Sequence, residues 1–324
     1  MVTPDKPRIV AIEEHYWDKE VAATFGEVDP FRRQSTTVDR LYDYAEGRIQ
    51  EMDEAGIQMQ VLSHGAPSTQ RGDAELMVKL AKGANDRLSE IVSAHPDRFA
   101  AFAALPTPDP KASADELERC VDKLGFKGAM IHGLTNGLFF DDKRFWPIFE
   151  RAQALDVPLY MHPAVPHPSV VEAYYKDYLA DFPGLLTAAW GFTVETATQG
   201  IRLVLSGVFD AYPEVKIILG HLGESLPFSL WRIDQALARQ GNKNTSFSFR
   251  DYFSKHFWIT TSGNFSNPAL LCCVMEMGVD RIIFSVDYPF VLNQPAVDWI
   301  PTIPLSQEDK TKILSGNADR LLRL

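Results

Sequence analysis

Short apolar runs and helical patterns alternate eight times along this chain, and that alternation limits its possible folds more than any other feature. The runs are Arg8–Glu14, Ile57–Ser63, Phe99–Leu105, Lys127–His132, Pro158–His162, Lys216–Gly220, Phe257–Thr261 and Arg281–Val286. None alternates cleanly between apolar and polar residues, as expected of parallel strands covered on both faces. Helical patterns follow at Arg40–Ala55, Asp73–His95, Ala112–Leu124, Lys143–Leu155, Thr193–Tyr212, Ser225–Arg239, Pro268–Met277 and Ser306–Leu322. Gly56 stops the first, and Ser306 with Asp309 three residues on reads as the N-cap of the last. Eight strand–helix units in 324 residues predict an α/β fold, a TIM-type (β/α)8 barrel occupying residues 1–324 as a single domain. A doubly wound sheet is the alternative, but it usually needs fewer strands. Two long connections, Tyr16–Val38 and Pro163–Trp190, follow strands 1 and 5 and would overhang the C-terminal mouth of the barrel.

Composition narrows the class of partner. A net charge of −11 argues against a general nucleic-acid binder, which needs a basic face. No apolar run approaches the roughly 18 residues of a membrane span, and Met1–Pro7 lacks the apolar centre of a signal peptide. The expected location is the cytoplasm, with no membrane partner. Three cysteines, two of them adjacent as Cys272-Cys273, provide no disulfide framework.

Chemistry in a barrel comes from the C-terminal ends of its strands. Strand 1 ends in Glu13-Glu14-His15, strand 5 in His162, strand 6 in His221 and strand 8 in Asp287. Side chains on a strand alternate, so Glu13 and His15 point the same way and Glu14 the other. One such residue is more often a hydrogen-bonded structural group than a ligand. Five of them at four otherwise apolar strand ends predict a divalent-metal site.

With these residues in view the chain resembles the amidohydrolase superfamily, in its branch of metal-dependent decarboxylases acting on hydroxylated aromatic acids, such as the γ-resorcylate (2,6-dihydroxybenzoate) decarboxylases. The likeness is carried by Glu13-Glu14-His15, Tyr160-Met161-His162-Pro163, Leu219-Gly220-His221-Leu222-Gly223-Glu224 and Phe284-Ser285-Val286-Asp287-Tyr288-Pro289-Phe290. Supporting stretches are Ala101–Pro106, Gly125–Ala129, Trp231–Asp234 and Ile259–Asn264. The resemblance implies Glu13, His15, His162 and Asp287 as ligands of one divalent ion, zinc or manganese. It places His221 just outside them, with Glu224 orienting its ring. Two departures from the wider superfamily stand out: strand 1 carries Glu-x-His where hydrolases commonly carry His-x-His, and Lys127 sits at the wrong end of strand 4 to bridge two metals. The second favours a mononuclear site, and the first tilts the reading from hydrolysis towards decarboxylation.

The activity implied is a carboxy-lyase reaction, nonoxidative decarboxylation of an ortho-hydroxylated aromatic acid, with Asp287 as proton donor to the ring carbon. Hydrolysis or hydration of a lactone, amide or ring-cleavage product is the alternative for the same ligands. Candidate substrate contacts are Arg232, which by resemblance clamps a carboxylate and acts from a neighbouring subunit of a homodimer or homotetramer, and Phe25, Phe290 and His132. Phe192, Tyr288 and Trp299 are further aromatics able to sandwich a ring. His132 stands where related decarboxylases tend to have asparagine. His64 is balanced between pocket and turn, His167 lies in the strand 5 insertion, and His95 and His256 read as structural.

Overall fold

The computed structural model describes residues 7–25, 35–240 and 245–324. Residues 1–6, the 26–34 part of the first long connection, and 241–244 lie outside the described residues. The apolar runs form eight parallel strands: β1 (Val10–Tyr16), β2 (Met59–His64), β3 in two pieces (Phe99–Ala101 and Ala103–Ala104), β4 (Ala129–His132), β5 (Leu159–His162), β6 (Ile217–Leu219), β7 (Phe257–Thr260) and β8 (Ile282–Ile283). Each pairs in parallel with the next. The break in β3 falls at Phe102, whose N–H still donates to Leu62 O. The ring closes beyond β8, where Glu14 bridges Tyr288 in parallel, His15 N–H donates to Tyr288 O and Asp287 N–H to Glu13 O. The result is the (β/α)8 barrel.

Val10, Ile12, Val61, Ala100, Phe102, Met130, Tyr160, Ile218 and Ile283 fill the barrel, and Ala318, Leu321 and Leu322 of the C-terminal helix Asn317–Leu322 join them. A larger apolar cluster lies between strands and helices and includes Ala11, Leu62, Ile131, Met161, Phe284 and Tyr288.

One local feature of β1 decides where the strand-end residues point. Val10 and Ile12 line the interior, while Ala11 packs outside. Strict alternation would carry Glu14 inside and leave Glu13 and His15 outside. The β1–β2 register slips between Ala11 and Glu14. Such a bulge exchanges the faces of a strand beyond it, and it delivers Glu13 and His15 to the barrel mouth.

The helical patterns hold with corrections. Arg40–Ala55 is two helices, Ser35–Tyr42 and Glu46–Ala55. Thr193–Tyr212 is Gly191–Ser206 and Val208–Ala211, divided at Gly207, which adopts φ +85°. Ser306–Leu322 is three consecutive pieces, of which the first, Gln307–Thr311, is capped by Ser306 accepting from Asp309 N–H. Helices Phe249–His256 and Asn293–Trp299 were not anticipated. The Pro163–Trp190 connection contains short helical turns and exposes Tyr174, Tyr178, Phe182 and Trp190. No helix among the described residues is long and apolar enough to cross a membrane.

Candidate metal centre

Glu13, His15, His162 and Asp287 meet at the C-terminal mouth, with one donor atom from each lying within 4.8 Å of all the others. His15 Nε2 is 3.3 Å from Asp287 Oδ1, and His162 Nε2 is 3.3 Å from Glu13 Oε1. Ligand bonds of about 2.0–2.2 Å around one ion separate neighbouring donors by about 3 Å, so the spacing fits a single cation. Glu13 Oε1, His15 Nε2 and Asp287 Oδ1 are buried and accept or donate no hydrogen bond. Three bare atoms aimed at one point would be costly unless a cation satisfied them. Glu13, His15 and His162 are buried and Asp287 is half-buried, and two carboxylates with two neutral imidazoles balance a 2+ charge.

The surroundings fix which atom of each ligand is bare. Glu13 Oε2 accepts from the hydroxyls of Tyr160 and Ser262, and from Thr260 Oγ1 at 3.3 Å, leaving Oε1 free. A Cβ on Gly220 would come within 2.8 Å of Glu13 Oε2, so only glycine leaves that carboxylate in place. His15 Nδ1 meets Ser63 Oγ at 3.2 Å.

His162 is held by a run of imidazoles. Asp18 N–H donates to His64 Nε2 at 3.0 Å, so His64 carries its proton on Nδ1, which donates to Gly65 O at 2.8 Å. His132 Nε2–H donates to His64 O at 2.7 Å. His132 Nδ1 then accepts from His162 Nδ1–H at 2.9 Å, a proton shared with Pro163 O at 2.7 Å. The proton of His162 is thereby confined to Nδ1 and its Nε2 lone pair faces Glu13, the second-layer control that metal-binding histidines use. Burial pushes all three imidazoles down: His64 to about 4, His132 and His162 well below their usual range, the last helped by the neighbouring histidines.

His221 lies outside the four, its Nε2 3.6 Å from Glu13 Oε1 and 3.7 Å from Asp287 Oδ2. Its Nδ1–H donates to Glu224 Oε1 at 2.7 Å. Burial would lower its pKa, but Glu224, Glu13 and Asp287 together hold it well above the usual value. Burial likewise raises Glu13, whereas Asp287 stays below the usual carboxylate range because His15 and His221 outweigh its burial. The backbone here is held in the left-handed region at His221, Leu222, Glu224, Ser225 and Asp287, with φ of 51–74°. Each such residue costs about 1–3 kcal/mol and persists only where its surroundings impose it.

The expected substrate contacts separate. Phe290 is half-buried with its ring 5.6 Å from that of His15. Phe25 packs on Trp17 and lies edge-on to His64, in the satellite core with Val21 and Leu41. His132 is 1% exposed and both its nitrogens bond within the protein, so the expectation that it touches substrate is replaced by its hold on His162. Arg232 is exposed on the helix Leu226–Ala238, and nothing in its own chain draws it to the cluster. Tyr160, Ser262, Thr260 and Ser63 were not among the expected site residues. Period-two spacing from His162 would have found Tyr160 on the same strand, but hydroxyls carry no motif of their own.

The chain matches the family model described as amidohydrolase over residues 11–324. It belongs to the amidohydrolase family. Among curated members, gamma-resorcylate decarboxylase of Polaromonas sp. (strain JS666 / ATCC BAA-500) is 41% identical, with 97% of this chain and 98% of the relative covered. A crystal structure of dihydroxybenzoic acid decarboxylase from Polaromonas sp. JS666, with bound manganese and the inhibitor 2-nitroresorcinol, superposes with a TM-score of 0.92 at 41% identity, covering 98% of both chains. A structure of 2,6-dihydroxybenzoate decarboxylase complexed with 2,6-dihydroxybenzoate superposes with a TM-score of 0.90 at 39% identity, covering 98% of this chain and all of that one.

Proposed function

We propose that this member of the amidohydrolase family is a carboxy-lyase that uses one divalent metal ion, manganese or zinc, to decarboxylate an ortho-hydroxylated aromatic acid without oxidation. The observation that carries this reading is the set of convergent donors on Glu13, His15, His162 and Asp287, of which those on Glu13, His15 and Asp287 are bare. It sits on a scaffold shared with a dihydroxybenzoic acid decarboxylase that holds manganese. An ion bound there supplies Lewis acidity toward a phenol oxygen and a carboxylate, favouring the phenolate.

The protein's own groups do the rest. Asp287, at the mouth and partly exposed on its outer side, delivers a proton to the ring carbon that bears the carboxylate. The new C–H bond uses a ring electron pair; the C–C bond then breaks, its pair returns to the ring, and CO2 leaves. His221, pinned through Nδ1 by Glu224, presents Nε2 to Asp287 and is the neighbour that can return a proton to it. Phe290 forms the aromatic side of the substrate space, backed by the satellite core that contains Phe25.

Arg232 binds the substrate carboxylate from the neighbouring subunit of a homodimer or homotetramer. Its helix supports an interface, for Phe228 is 85% and Trp231 63% exposed there, and Met275 stands 83% exposed on the adjacent helix Asn267–Met277. The three cysteines are free, which suits the cytoplasm. The test is CO2 release from a panel of ortho-hydroxybenzoates by purified protein loaded with manganese or zinc, run in ¹⁸O water. Release without ¹⁸O in the aromatic product supports decarboxylation. Silence across the panel, or ¹⁸O entering the aromatic product, overturns it.

A further inference from the structure

The place where the barrel closes is also where Asp287 is attached, and ordinary sheet pairing there is sparse. β8 ends at Ile283, four residues before Asp287, and only one parallel bridge, Glu14 to Tyr288, joins this region to β1. The side chain of Glu14 supplies the missing bonds. Its Oε1 accepts from Val286 N–H at 3.0 Å and its Oε2 from Tyr288 N–H at 3.3 Å. These are the two amides on either side of Asp287, whose own N–H donates to Glu13 O at 3.1 Å. One carboxylate therefore fixes both flanks of a residue held at φ +74°.

Glu14 is itself fixed. Gln60 Nε2 donates to Glu14 Oε2 at 3.4 Å, and Gln60 Oε1 accepts from Arg48 Nη1 at 3.2 Å. Arg48, fully buried, donates from Nη2 to His15 O and lies 4.6 Å from the centre of the Tyr288 ring. The run Arg48–Gln60–Glu14 thus holds the main chain at His15 and on both sides of Asp287, two of the four donors, while touching neither donor atom.

We propose that Glu14 is a positioning residue for Asp287, acting with Gln60 and Arg48 as a buried strut across the closing seam. The two oxygens of a carboxyl group match the two amides on either side of one residue, each oxygen accepting from one of them. An amide at position 14 has one oxygen and turns an N–H toward the other donor. Glu14 holds the aim of Asp287, not the cation.

The test compares Glu14→Gln with Ser285→Ala. Ser285 Oγ accepts from Ile12 N–H at the same seam but holds no amide beside Asp287, so its loss weakens the seam without releasing that residue. Three readouts are taken: manganese stoichiometry, the Mn(II) EPR spectrum, and kcat and KM on the best substrate of the hydroxybenzoate panel. Glu14→Gln is expected to bind one manganese per chain with an altered EPR spectrum and to lose about 10–100-fold in kcat with KM within about twofold, the usual size of a second-layer effect. Ser285→Ala is expected to keep the wild-type spectrum and kcat while melting earlier. Gln60→Met, which removes one donor to Glu14, gives a smaller loss in the same direction and serves if Glu14→Gln does not fold. An unchanged spectrum and kcat in Glu14→Gln, or equal losses in Ser285→Ala, would overturn the assignment. Only the kinetic readout rests on the proposed decarboxylation; if wild type turns over no substrate, the spectra of the two variants still decide the role of Glu14.

Discussion

At the scale of single residues, the site is a problem of bare atoms and proton placement. A ligand imidazole must present a lone pair, and an isolated histidine has no reason to keep its proton on one nitrogen. Here the main-chain carbonyl of His64 fixes the proton of His132 on Nε2, and His132 Nδ1 in turn fixes that of His162 on Nδ1, through hydrogen bonds of 2.7 and 2.9 Å. His132→Leu removes the acceptor for His162 Nδ1–H and the donor to His64 O. We expect it to bind manganese about 10–100-fold more weakly, read by competition against a chelating dye; unchanged affinity would mean that Pro163 O alone suffices. The same histidines set an acid limit. His64 has a folded pKa of about 4, below the roughly 6.5 of an unfolded histidine, so the unfolded chain takes up the proton first as pH falls. Its contribution is complete above about pH 6.5 and is lost between there and pH 4, amounting to about 3 kcal/mol, with His132 and His162 shifted the same way. Urea titrations of metal-free protein across that range should show stability falling with pH, and His64→Asn should show a shallower fall. A flat wild-type profile contradicts this account.

At the scale of elements, the strand ends were legible and their faces were not. Strand bodies such as Ile217–Leu219 are short, apolar and closed by a polar residue, which is why His162, His221 and Asp287 could be placed from spacing alone. The β1 bulge left no trace in Val10-Ala11-Ile12-Glu13-Glu14-His15, because every one of those residues is buried on one face or the other. Glu13 and His15 do share the mouth, whereas alternation counted from Val10 would turn them out of it. Helix Phe249–His256 announces itself only by the capping box of Ser248 and Asp251, since eight residues hold few apolar repeats. The hydroxyls around Glu13 come from β5 and from β7 with its end, which only the closed barrel brings to β1. Gly220 shows how tightly those ends are matched. It has an ordinary φ of −71°, so Gly220→Ala adds a methyl without backbone strain, and that methyl arrives 2.8 Å from Glu13 Oε2. Moving the carboxylate should cost about 1–3 kcal/mol in stability and displace one ligand. Denaturant midpoint and metal content measure the two effects, and a variant with wild-type metal content would show that Glu13 has room to shift.

At the scale of the whole molecule, the metal site is a fault in the barrel unless a cation occupies it. The interior below is apolar from Val10 and Ile12 to Ile283, capped at the far end by Leu321 and Leu322. The mouth, by contrast, gathers Glu13 and Asp287 with, among the described residues, no cationic side chain other than histidine among their hydrogen-bonding and ion-pair partners. Removing a cation from between the two carboxylates leaves only the imidazoles of His15 and His221 to offset their repulsion, in a protein whose overall charge is already −11. Folding and metal binding are therefore linked, because the unfolded chain offers no preformed site. A ligand at a thousand times its dissociation constant stabilises the native state by about 4 kcal/mol, which for a chain of this size raises the melting temperature by about 6 °C. Chelator-treated protein should melt lower by an amount of that order, and the deficit should close as manganese is titrated back, rising further with its logarithm. Glu13→Gln, with one charge removed and Oε1 still in place, should narrow the gap between metal-free and loaded protein from both sides. It melts higher than wild type without metal and gains less when metal is added. A melting temperature indifferent to chelator would mean that the four donors tolerate one another without a cation, and the bare atoms on Glu13, His15 and Asp287 would need another explanation.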